Sequence, residues 1–495
     1  MKRLRLFILL MFLPLMMKAS VNVQNIVLLT NYLLEKQKHP DLKMVVLSDP
    51  HVMAPELLIS DGEAWTSYLD GQRKMVDYSA SLFDEMVSRI KNDLRPNLVL
   101  ITGDLTKDGE QQSHAYVTAK LDELRSEGIQ VLVVPGNHDH DGNRNAVSYD
   151  GAGTAAVETA TNDWFAAQYA DYGYGPSSER ETSTLTYACE PIDGLVVIGI
   201  DSGRNGELSS TTRDWVCDKA SKASSEGKRV IAMMHHPLIP HVTHAETLVR
   251  TYVIKDFDTI RQALIEAGIK VIFTGHFHTS DIAKDFNDSL TKEIYDVNTG
   301  SLISYPCDYR EVTLCGDLSE LRLTTSHITS LPNDDTFSSD YAKECLHSAV
   351  KQMVKEIAKA KVRKEAGTLG VKLMAKKINK VSTAAADAFI IHAEGNEADV
   401  DTEEIMSALS LAFTFMPETK AMCKSMLEDK APYGEEGREN VTDDLSLTVK
   451  ISSLLIGDAN GDGVVNVADI VEIINKGDVD DDDINAIIAI IMQSK

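Results

Sequence analysis

The sequence predicts a layered α/β domain, then an all-α region, then a small calcium-loop helical module, on three observations. Between residues 40 and 327, short apolar runs rich in β-branched side chains alternate with amphipathic helical stretches. From 338 to 430 strand signals vanish and helix formers dominate. From 456 to 495 aspartates, asparagines and glycines cluster ahead of an apolar helical pattern.

Residues 1–20, "MKRLRLFILLMFLPLMMKAS", have a basic tip and an apolar run from Leu6 to Met17. That is the layout of an export signal, with Ala19 and Ser20 small enough for cleavage, and the run is short for a membrane span. The expected location is therefore periplasmic, cell-surface or secreted. The 495 residues exceed the usual size of one hydrophobic core. A formal net charge of −26 argues against a broad nucleic-acid-binding face. Six scattered cysteines include no CxxC pair and no zinc-finger spacing.

Within the α/β region, the strands "KMVVLS", "NLVLIT", "QVLVV", "LVVIGI", "RVIAMM" and "KVIFT" are separated by helical patterns such as Gln111 to Arg125 and Thr259 to Ala267. After Gly275 the strand signals come closely spaced, as in an antiparallel arrangement. Five of the apolar strands run into polar side chains. The first ends in Asp49 and His51, the second in Asp104, and the third in Asn137, His138 and Asp139; the last two end in His235 and His236, and in His276 and His278.

In open α/β sheets the loops beyond the carboxyl ends of the strands converge on one crevice, so these residues should meet in space. Each alone reads as a polar strand cap. Together they offer oxygen and nitrogen donors without thiolate, a set suited to manganese, iron, zinc or nickel. With one carboxylate shared they form a two-metal site, the arrangement that clamps the attacking and leaving oxygens of a phosphoryl transfer.

The motifs D-x-H, GD, GNHD, a later H and GHxH, in that order, resemble those of the calcineurin-like metallophosphoesterase superfamily. The wording "ITGDLTKDG", "VVPGNHDH", "MMHHPL" and "FTGHFH" is most similar to its bacterial cyclic-nucleotide-phosphodiesterase-like branch. The resemblance implies an αββα sandwich holding two divalent or trivalent transition metal ions, Mn, Fe or Zn. It implies that Asp49, His51 and His278 hold the first metal, Asp104 bridges, and Asn137, His235 and His276 hold the second. His138 would then touch the substrate phosphate and Asp139 would orient it, while His236 packs behind. The implied reaction is in-line attack of metal-bound hydroxide on a phosphodiester or phosphomonoester. Lys107 stands where purple acid phosphatases carry tyrosine, so their coloured iron–tyrosinate site is not expected.

In the helical region, "KEIAKAKVRKEAGTLGVKLMAKKINK" is lysine-rich, and reads as a solvated helical face because it has no aromatic side chains to stack on bases. "APYGEEGREN" reads as a linker. "GDANGDGVVNVADIVEIIN" then fits a calcium loop, with Asp458, Asn460, Asp462, the carbonyl of Val464, Asn466 and Asp469 as ligands and Gly463 at the turn. Aspartate at the twelfth position, with an apolar helix behind it, resembles a dockerin repeat and implies a cohesin-like partner; the second repeat is incomplete. A reading of another class is a calcium-dependent surface docking protein whose metallophosphoesterase domain is catalytically silent.

Overall fold

A computed structural model describes residues 41–140, 145–316, 318–395, 397, 401–415, 417–428, 441 and 443–451. The expected export signal (1–20) and calcium module (456–495) lie outside the described residues.

Two sheets stack face to face. The first has six strands in the order Ser446–Lys450, Glu320–His327, Asp308–Leu314, Leu42–Leu47, Leu98–Ile101, Gln130–Val133. The last three of these run parallel. The second has seven, in the order Asp281–Phe286, Glu293–Asn298, Val271–Thr274, Arg229–Met234, Leu195–Ile200, Tyr187–Ile192, Glu179–Arg180.

Residue parity in the second sheet shows the layering. Leu195, Val197, Ile231, Met233, Val271 and Phe273 join the core shared with the first sheet. Their neighbours Ile198, Val230, Ala232, Met234 and Ile272 pack outward with side chains of the helices Ser210–Ser225 and Phe257–Glu266. Alternate side chains of a strand point to opposite faces, so a strand buried on both sides reads as one continuous apolar run, as "RVIAMM" does. The helices Ser79–Arg89 and Gln111–Ser126 bury Leu82, Phe83, Met86, Val117 and Leu121 in the same core as the first sheet. This four-layer arrangement agrees with the expected mixed α/β fold.

The closely spaced strands after Gly275 are only partly antiparallel. Glu293–Asn298 pairs antiparallel with Asp281–Phe286 but parallel with Val271–Thr274, and the chain then crosses to the first sheet. Ser446–Lys450, which carries no strand signal strong enough to be read in the sequence, closes the edge of the first sheet against Glu320–His327. The α/β unit thus takes a strand from beyond the helical region.

Among the described residues from 339 to 428 helices dominate, as expected: Ser339–Glu394, Glu403–Phe415 and Glu418–Glu428. The long element Ser339–Glu394 is broken at Gly367, whose φ of 65° and ψ of −170° are not helical. Nε2 of His347 lies 2.9 Å from Oδ1 of Asp387. Forty helical residues in a straight line would separate that pair by about 60 Å. The element is therefore an antiparallel hairpin with Gly367 at its tip. Its base is bound to the sandwich: Ala388 with Met426 and Leu427 of the helix Glu418–Glu428 packs among Val242, Ala245 and Val253 and beside Phe277.

Candidate metal centre

The five polar strand ends do meet. The first two loops run together past the strand ends, with Asp49 N donating to the Gly103 carbonyl (3.1 Å) and His51 N to that of Asp104 (2.9 Å). Two contacts tie the sheets together at this edge. His276 N donates to Oδ2 of Asp49 (2.9 Å), and Nδ1 of His235 donates to the Thr102 carbonyl (2.9 Å). The glycines of the motifs allow this convergence. A Cβ on Gly136 would strike the Asp104 carboxylate, and one on Gly275 would strike Ser48 and Asp49.

Each buried carboxylate is tied to protein through one oxygen and turns the other into the cluster. Oδ2 of Asp49 accepts from Ser48 and from His276 N, whereas its buried Oδ1 accepts no hydrogen bond and lies 3.1 Å from Nε2 of His278. Oδ1 of Asp104 accepts from His138 N (2.8 Å). Its Oδ2 lies 3.5 Å from Nε2 of His51 and 3.4 Å from Nε2 of His235. Asp104 thus faces two groups of donors at once. Asp49, His51 and His278 form one metal-sized group, and Asp104, His235 and His276 another. Oδ1 of Asn137, 3.1 Å from Nε2 of His235, belongs with the second.

The imidazoles are oriented from behind. Because Nδ1 of His235 and Nε2 of His276 each donate to a backbone carbonyl, the latter to Thr251 (2.8 Å), the opposite nitrogen of each ring is turned toward the cluster. His236 is buried, bonds Ser202 through Nδ1 (2.8 Å) and packs on the His276 ring, in the backing position expected of it. Asp49, His51, Asp104, His276 and His278 all have positive φ, between 40° and 69°. Left-handed backbone at a non-glycine residue is uncommon and costs on the order of 1 kcal/mol or more. Five such residues in one cluster mark a place where side-chain direction outweighs backbone comfort.

Electrostatics point the same way. Burial would raise Asp49 and Asp104, but the surrounding imidazoles hold both well below the usual carboxylate range. Burial and Lys74 lower His51 to about 3, and burial and His235 lower His276 to about 3, so both rings are neutral donors. Burial opposes protonation of His235 too, yet Asp104 and Asp49 pull it up to about 9. Without another cation, the cluster takes a proton there.

One expected role is corrected. The Asp139 carboxylate does not orient His138. It accepts from Gly136 N (2.8 Å), Leu105 N (3.0 Å) and Thr106 N (2.9 Å), stapling the second loop to the third. Burial and the neighbouring Asp104 raise it to about 6. The amides of Gly136, Leu105 and Thr106 and the Thr106 hydroxyl occupy both carboxylate oxygens, so neither bonds His138. Nδ1 of His138 instead faces the Lys107 carbonyl (2.7 Å) and Oδ1 of Asp108 (3.0 Å). Asp108, four residues past Asp104 in "GDLTKDG", was not singled out in the sequence; an acid within the motif loop was the available signal.

Lys74 was also missed. Its Nζ lies 3.1 Å from Nδ1 and 3.3 Å from Nε2 of His51; burial lowers its pKa, and Asp104, Asp108 and Asp49 oppose that shift only in part. It arrives from a loop far from the motifs, so spacing could not show it. Lys107, where a tyrosinate would stand in purple acid phosphatases, is buried against Asp108 and Glu110 and holds its loop. His241 is buried 2.9 Å from Asp281 and 3.4 Å from Asp296. His140 is buried near the Phe165 ring, and His244 is exposed.

Fold and site define an α/β sandwich with adjoining groups of candidate metal donors, His51, Asp104 and His138 forming a third between the other two. Residues 42–280 match the model of the calcineurin-like phosphoesterase family. Over 245 residues the chain is 24% identical to a probable cyclic nucleotide phosphodiesterase of Rhodococcus erythropolis, covering 48% of this chain and 66% of that one. Over 249 residues it is 22% identical to a cAMP/cGMP dual specificity phosphodiesterase of Mycobacterium tuberculosis, covering 49% and 63%. The match spans a little under two thirds of each relative's own length. Among solved structures, a dimetal phosphatase from Danio rerio aligns with 13% identity and a TM-score of 0.41, over 58% of this chain and 96% of that one.

Two outcomes follow. Asp108→Asn, which keeps the shape but removes the charge behind His138, should lower kcat about tenfold to a hundredfold with little change in KM; an unchanged kcat would return that role to another group. At pH 7.5 the metal-free protein carries the His235 proton, while His51 and His276 are already neutral and both aspartates ionised. Loading zinc or manganese should therefore release about one proton per chain, and affinity should rise about tenfold per pH unit up to about 9 and then level off. Calorimetry in buffers of different ionisation enthalpy reads the proton; none released would contradict the role of His235.

Proposed function

We propose that the protein is an exported phosphohydrolase that uses two transition metal ions to cleave a phosphodiester or phosphomonoester. The observation that carries the reading is the Asp104 carboxylate, whose Oδ2 faces His51 on one side and His235 on the other at nearly equal distance. Asp49, His51 and His278 would hold one cation, Asn137, His235 and His276 the other, with Asp104 between them. The donor chemistry fits manganese, iron or zinc, and the unpartnered Oδ1 of Asp49 is an atom such a cation would satisfy. Two bound cations supply Lewis acidity, lowering the pKa of water and neutralising charge on the phosphoryl oxygens.

The chain's own groups complete the site. With Nδ1 turned to Lys107 and Asp108, His138 presents Nε2 for hydrogen bonding to a phosphoryl or leaving oxygen. The Lys74 Nζ, beside His51, adds a hydrogen-bond donor for the phosphate, whose charge would favour the ammonium form. The two curated relatives named as phosphodiesterases favour the diester. The complete donor set disfavours a catalytically silent docking protein. Export rests on the basic and apolar pattern of residues 1–20.

The test is hydrolysis of bis(p-nitrophenyl) phosphate and p-nitrophenyl phosphate by metal-stripped protein refilled with manganese, zinc or iron. Turnover should require metal, fall about a hundredfold or more in His138→Ala, and show a raised KM in Lys74→Met. Absence of turnover with every metal, with two ions bound per chain, would defeat the proposal.

We also infer that Asp458, Asn460, Asp462, Val464, Asn466 and Asp469 bind one calcium ion, from their spacing around Gly463. Titration should find one calcium site that Asp458→Ala with Asp462→Ala removes; unchanged calcium binding in that variant would refute the loop.

A further inference from the structure

The outer half of the helical hairpin has no role in the centre. Between Lys351 and Lys380, ten lysines and arginines stand against two glutamates, a net +8 within a chain of −26. In that stretch only Gly370 and Ile378 are buried. From the His347–Asp387 contact to the tip, each arm runs twenty residues, about 30 Å of helix.

The tip is apolar as well as basic. Leu373 and Leu369, 77% and 67% exposed, are the two most exposed large apolar side chains among the described residues. They follow the turn at Gly367 and are flanked by Lys361, Arg363, Lys364, Lys372, Lys376 and Lys377, all exposed. Ile357, on the arm entering the turn, is 51% exposed.

We propose that this hairpin docks on an anionic lipid surface, its basic side chains against the headgroups and Leu369 and Leu373 in the acyl boundary. Charge complementarity and the exposed leucines are met together by that partner. A second copy would set one +8 hairpin against another. Nucleic acid would leave the leucines unused, and the stretch has no aromatic side chain to stack on bases. No described helix is long and apolar enough to cross a membrane, so the contact is superficial.

The test is co-sedimentation of the full chain with vesicles of phosphatidylcholine and phosphatidylglycerol in equal parts, against phosphatidylcholine alone. Binding should be confined to the anionic vesicles and should fall in high salt. Leu369→Ser with Leu373→Ser should weaken it about tenfold, and Lys372→Gln with Lys376→Gln and Lys377→Gln roughly a hundredfold. Circular dichroism and thermal unfolding should show both variants folded as the parent, since these side chains are exposed. Four results would overturn the proposal: equal binding to neutral vesicles, no vesicle binding, leucine variants that bind as the parent does, or tighter binding to duplex DNA. Self-association abolished by the leucine substitutions, without vesicle binding, would overturn it too.

Discussion

Two ionised carboxylates buried side by side are the constraint on which the rest of this structure depends. Asp49 and Asp104 sit at the junction of two sheets, where desolvation alone would protonate them. Their charge persists because imidazoles surround them, and because each keeps one oxygen bonded to protein while the other faces the cluster. An interior built this way demands positive charge. In the metal-free protein the His235 proton supplies part of it.

Meeting that demand shapes the backbone. Five cluster residues take left-handed φ so that their side chains converge, and glycines precede Asp104, Asn137 and His276 so that neighbouring loops can approach. Strain of this kind persists only where surrounding structure over-determines it. Here the surroundings are parallel strands buried on both faces, together with the Asp139 staple between the second and third loops.

The helical region shares in the support of the centre. Phe277, between His276 and His278, packs in a cluster with Ala388, Met426 and Leu427. Behind it, buried Arg310 donates to the Asn298 carbonyl (2.7 Å) and to the Asp444 carbonyl, and Asp444 accepts from Ile282 N (2.7 Å). The segment leading into the last edge strand is thereby tied to both sheets. The hairpin base is part of this packing, and its outer arms are free of it.

The sequence by itself determined the strands with polar ends, the order of the motifs, the helical character of 338–430 and the identity of the clustered donors. Those features are local: an apolar run stops where a ligand-type residue begins, and helical periodicity needs no partner. Only the tertiary structure decided which acid stands behind His138, because Asp139 lies beside it in the chain but bonds backbone amides, whereas Asp108 reaches it across two loops. Lys74, the edge strand Ser446–Lys450, the parallel pairing of Glu293–Asn298 and the reversal at Gly367 belong to the same class. Each depends on contacts between segments far apart in the chain, and spacing along a sequence carries no measure of distance across a fold.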